Sequence, residues 1–133
     1  MADYSDFLED ELLDHWLGAA AYTAPANVFV ALFTSATDDT GGGTEVTGGS
    51  YARKSVTNNL TEWPASSGGS KSNANAVLFV EPTADWGLVT HFALFDALTT
   101  GNMLAHNALT ASETINSGNT VQFDATTLVV TLA

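Results

Sequence analysis

The sequence predicts a mainly β domain, a β-sandwich or jelly-roll-like arrangement of seven or eight short strands preceded by one N-terminal α-helix. Three observations carry that reading. A near-continuous apolar run, Val28-Phe29-Val30-Ala31-Leu32-Phe33-Thr34, is too short for a buried helix and is flanked by turn residues. A strand-like stretch from Leu88 to Phe95 is answered by a second beginning at Met103, with Asp96 to Asn102 supplying turn chemistry between them. Gly, Ser, Asn and Thr clusters punctuate the remainder at short intervals, as they do in all-β folds.

The helix is expected over Asp3 to Leu17. Leu8, Leu12 and Trp16 recur at i, i+4 and i+8, with Leu13 and Leu17 alongside, which makes an apolar stripe. Asp3 or Ser5 can cap it, Asp6, Glu9 and Asp10 suit the positive end of its dipole, and Gly18 can supply a left-handed stop. Asp6, Glu9, Asp10, Glu11 and Asp14 are therefore candidate contacts to a partner. The segment 1–18 reads either as an arm that docks on a neighbouring subunit or as a cover for its own sheet, and 19–133 as a single β domain.

Ala19 to Asn27 is a connector in which Pro25 holds Ala24 extended. Val28 to Thr34 is expected to be a strand buried on both faces. Ser35 to Ser50 is a loop carrying Gly41-Gly42-Gly43 and Gly48-Gly49, and Tyr51 to Asn58 alternates as a strand with one wet face. Thr61 to Asn75 reads as irregular and exposed. Ala76 to Val80 is a strand ended by Pro82. The central hairpin spans Trp86 to Leu109, and Gly101 or Asn102 is suited to positive φ in its loop. Asn116-Ser117-Gly118-Asn119 is a turn, and Val121 to Phe123 and Leu128 to Leu132 close the chain as strands.

Composition excludes several functions. Fifteen acidic residues face three basic ones, for a net charge of −12. Nucleic-acid affinity rests on Lys and Arg meeting phosphates, so neither nucleic acid nor an anionic membrane is expected as a partner. No stretch of about 18 apolar residues is present, and the acidic N-terminus lacks the basic region of a signal peptide. There is no cysteine, hence neither a disulfide framework nor a thiolate site.

No catalytic signature stands out, and no cofactor or metal site is expected. His15, His91 and His106 lack metal-ligand spacing, and two histidines meeting across the hairpin would leave a zinc site incomplete. Asp38, Asp39 and Glu45 offer oxygen ligands to calcium without the spacing of an EF-hand, and solvated loop acids are the simpler reading. Ser70-Lys71-Ser72 after Gly68-Gly69 does not match a phosphate loop. Trp16 and Trp86 read as core. Trp63, beside Pro64 in a polar loop, either packs onto the sheet or anchors a contact with another subunit.

Several segments resemble a family of small virion proteins of tailed bacteriophages, labelled tail-fibre proteins. They are Tyr22-Thr23-Ala24-Pro25, Val28 to Thr34, Gly42 to Arg53, Thr83-Ala84-Asp85-Trp86-Gly87-Leu88-Val89-Thr90-His91-Phe92, Asp96, Gly101-Asn102-Met103-Leu104, and Ile115-Asn116-Ser117-Gly118. The N-terminal helix is more acidic than the family leads one to expect, so its role does not transfer. The resemblance implies a structural component of the virion with neither enzymatic activity nor cofactor. A compact sandwich without heptads or repeats suits a capsid decoration (cement) protein, bound to the major capsid protein across capsomer joints, commonly as a homotrimer. The alternatives are a tail or tail-fibre component, and a carbohydrate-binding β-sandwich that uses an exposed aromatic such as Trp63.

Overall fold

The computed structural model describes residues 2–132. Among these, nine strands and one helix follow the chain: β1 (Asp3–Tyr4), α1 (Asp6–Leu17), β2 (Asn27–Phe33), β3 (Lys54–Thr57), β4 (Ser70–Ser72), β5 (Val77–Leu78), β6 (Gly87–Phe95), β7 (Met103–Ile115), β8 (Gln122–Phe123) and β9 (Val129–Thr131). The β-sandwich-like class is as expected. A five-stranded antiparallel sheet runs β1-β7-β6-β2-β3, and two short pairs, β4-β9 and β5-β8, oppose it. The hairpin β6–β7 is central: β6 is the middle strand.

Period-2 alternation explains why the apolar runs are nearly continuous. Val30, Leu32, Phe92 and Leu94 join Val56, Trp63, Val77, Phe79, Trp86 and Leu128 in the main core. Their neighbours Ala31, Phe33, Ala93, Phe95 and Met103 form a second cluster on the other face. Both faces of β2 and β6 are therefore covered, as the Val28–Thr34 run predicts.

Several boundaries differ from expectation, each for a tertiary reason. The helix starts at Asp6, not Asp3, because Asp3 and Tyr4 pair with His106 and Ala105 on β7. Ala2 also bridges to Val130, so the start of the chain stitches the large sheet to β9. Gly18 is not left-handed (φ −133°); that role falls to Ala19 at φ 55°. Thr61 to Asn75, expected to be irregular, contains β4, whose partner β9 lies far along the chain.

The hairpin's second strand runs past Leu109 to Ile115. Between the pairs Val89–Glu113 and His91–Ala108, Thr90 alone faces Leu109, Thr110, Ala111 and Ser112, a bulge that hides the strand from a periodicity reading. The hairpin loop is held as its composition suggests. Asp96 accepts from the Asn102 backbone at 2.7 Å and from its side-chain amide at 2.9 Å, and Gly101 takes φ 73°.

A buried polar knot joins this frame to the 35–50 loop. Arg53 donates to Glu45 Oε2 at 2.9 Å and Oε1 at 2.8 Å, and its Nη1 donates to the carbonyls of Ala97 and Thr100. Its guanidinium lies 3.6 Å above the Phe95 ring centroid. Tyr51 Oη donates to Glu45 at 2.7 Å and accepts from the Leu32 amide at 3.0 Å. Burial, with the Glu45 carboxylate beside it, pushes the Tyr51 phenol above its ordinary range. Tyr51 also packs edge-on against Trp86, whose Nε1 donates to the Gly49 carbonyl. Gly49 sits at φ 57°, where an added Cβ would come within 2.9 Å of that same indole nitrogen.

Breaking this knot leaves a buried guanidinium uncompensated. Glu45→Gln is expected to cost about 2–4 kcal/mol in denaturant unfolding. Glu113→Gln, on the exposed stretch of β7, should stay within about 0.5 kcal/mol. Equal losses in the two variants would refute the special role of the Arg53 pair.

Candidate partner-contact surface

The helix begins on a buried cap and then leaves the domain. Ser5 is 1% exposed; its Oγ donates to the Met103 carbonyl at 2.5 Å and accepts from the Leu8 amide at 3.3 Å. Asp6 N donates to the Asp39 carbonyl at 2.9 Å. Beyond that root, no residue of α1 is buried. Phe7, Leu8, Glu11 and Leu12 are half-buried, facing β7 and the returning connector, where Tyr22 N donates to His15 Nδ1 at 3.2 Å. Burial and the carboxylates of Asp96 and Glu11 raise the Tyr22 phenol above its ordinary value.

The opposite face is in solvent. Leu13, Trp16 and Leu17 are 51%, 70% and 69% exposed, and Asp6, Glu9, Asp10 and Asp14 are exposed with them. At 100° per residue these seven residues occupy one side of the helix. Of the acids expected as contacts, four line that face; Glu11 lies on the half-buried side. Trp16 is thus the exposed tryptophan, contrary to its expected place in the core. Because Asp3 and Tyr4 belong to the large sheet, α1 stands on a root that is integral to the β domain.

Trp63 lies in the core cluster at 7% exposure. It packs onto the sheet, so it offers no exposed platform to a sugar or a subunit. Its Nε1 is buried without an acceptor, while one side of the residue lines a groove of about 360 Å³ with Tyr4, Val28, Lys71, Leu94 and Val130.

The remaining candidate clusters are occupied by structural contacts. His91 and His106 share a face but stand opposite Ala108 and Ala93, not each other. His106 Nε2 lies 2.9 Å from Asp39 Oδ1 and its Nδ1 2.8 Å from Thr37 Oγ1. An ionised carboxylate only accepts, so His106 Nε2 donates to Asp39. Asp38 Oδ1 accepts from the Thr40 hydroxyl at 2.6 Å and from the amides of Thr40 and Gly42 at 3.0 and 2.9 Å. Glu45 is committed to Arg53 and Tyr51. Among the described residues no group of three or more His, Cys, Asp or Glu is placed to hold a metal ion.

A family model described as "Podophage GP4 fiber I protein gp80" matches residues 3–131. The chain belongs to this family. Comparison with curated proteins finds no match. The match covers the helix as well as the β domain, so the acidic α1 lies inside the fiber I protein family's own span, although the resemblance read from sequence begins only near Tyr22. The gp80 family is one of structural phage fibre proteins, which makes this chain a virion component. No helix among its described residues is long and apolar enough to cross a membrane.

Two measurements check this description. Trp63→Ala is expected to cost about 3–5 kcal/mol. Trp63→Phe should cost distinctly less, because it also removes a buried donor that has no acceptor. The Asp38 carboxyl is held below its ordinary value, first by the Thr40 hydroxyl and then by the Gly42 amide. Its contribution is therefore complete above the ordinary carboxylate range and is lost as pH falls through the lowered value. Asp38→Asn should accordingly lose less stability than the parent chain between about pH 5 and about pH 3.

Proposed function

We propose that the chain is a non-enzymatic structural module of a tailed-phage fibre, attached to the particle through the solvent face of α1. The nearly full-length match to a phage fibre family carries this reading. Attachment through the helix is supported by three large apolar side chains that α1 holds in water. Single exposed apolar residues are ordinary on a monomer, but a contiguous group on one helix face marks an interaction site.

Decoration of the head exterior is the second reading. What favours it is the shape of the module, since these 133 residues contain neither heptads nor repeats from which to build a long shaft. Copy number separates the two. Quantitative mass spectrometry of purified virions is expected to give a few tens of copies or fewer; hundreds per particle would transfer the chain to the head surface.

A further inference from the structure

Building on that attachment, we propose that the exposed face of α1 seats in an apolar groove rimmed by Lys and Arg on a different polypeptide, not on a second copy of this chain. The apolar part of the argument is geometric. Leu13, Trp16 and Leu17 stand at i, i+3 and i+4, so they present one continuous patch over the last turn of the helix. Helix-in-groove recognition uses anchors at this spacing, and a tryptophan at the centre of such a contact commonly dominates its energy.

The charge part rests on where the acids lie. Asp6 and Glu9 are explained locally, since the first turn of a helix favours negative charge. Asp10 and Asp14 are not. Asp14 sits in the last turn, where the helix dipole disfavours a carboxylate, and neither residue has a basic partner within 4.0 Å among the described residues. These acids flank the apolar patch and fit a partner whose rim is positive.

A second copy is a poor source of that rim. The chain holds three basic residues. Arg53 is buried on Glu45, Lys54 lies on β3, and Lys71 lies on β4. Pairing α1 with another α1 would set acids against acids in molecules that each carry −12. A bilayer is a poor occupant too, because interfacial helices carry Lys and Arg on their polar face and α1 has neither. The root is already ordered by the Ser5–Met103 contact and by β1, so docking would not have to order it, and the cost of fixing the helix is small.

The test uses the full chain and virions assembled without it. Sedimentation follows rebinding of the wild type, Trp16→Ser, and the double variant Asp10→Lys/Asp14→Lys across a salt series; thermal unfolding confirms that each is folded. Wild type is expected to rebind with affinity that falls as salt rises. Trp16→Ser should bind about tenfold more weakly or worse at every salt concentration. The double variant should bind as weakly and lose the salt dependence. Rebinding of both variants at wild-type strength overturns the proposal while leaving the fibre assignment intact. Self-association of the wild type that Trp16→Ser abolishes would identify the occupant as a second copy and overturn it as well. Failure of the wild type itself to rebind counts against the attachment reading on which the proposal stands.

Discussion

The Arg53–Glu45 pair is the constraint on which the domain's outer face depends. A guanidinium with a 7% exposed side chain carries its full charge, so every donor must find an acceptor. Arg53 places four of its N–H donors by reaching into two stretches of chain, the 35–50 loop and the end of β6 with the loop after it. It takes the Glu45 carboxylate from the 35–50 loop, two carbonyls from the hairpin loop, and the Phe95 ring from the centre of the sheet. The long glycine-containing loop is thereby pinned over Ala31, Phe33, Ala93 and Phe95, which would otherwise form an exposed apolar face. Arginine suits this task where lysine would not, because its planar fork pairs bidentately with a carboxylate and stacks on an aromatic ring.

The same demand assigns the loop acids. Glu45 has little capacity left for an ion once Arg53 and Tyr51 are bonded to it. Asp38 closes a local turn, and Asp39 reaches His106, which fastens the loop to β7. Polar residues that a sequence offers as ligands are thus consumed in holding the loop. The exposed face of the helix is covered by none of this internal network.

Local chemistry made much of the molecule legible. Period-2 apolar runs mark β2 and β6, Asp96 to Asn102 announces a turn, and Gly101 takes the positive φ that its position calls for. The acidic face of α1 was visible as well. Trp86 reads as core and is buried, but the places of Trp16 and Trp63 were not legible, because an indole on a helical stripe looks ready for the core and one beside a proline in a polar loop fits either the core or a contact. Trp63 enters it because the 61–75 segment folds back against the large sheet, and Trp16 stays out because α1 turns another side toward β7. Strands of two or three residues, such as β1 and β4, carry almost no periodic signal and exist only through partners distant in sequence.

The sequence by itself determined the class of the fold, the central hairpin, the net acidity, and the resemblance to a phage virion family. The fold class, the hairpin and the acidity follow from alternation, turn residues and net charge, which are properties of neighbouring residues and of composition, whereas the family rests on the resemblance of whole segments. Tertiary structure alone decided that Asp3 and Tyr4 belong to the sheet, that Arg53 and Glu45 find each other, and that Trp16, not Trp63, faces water. Each depends on which distant segments meet, and local periodicity does not encode that meeting.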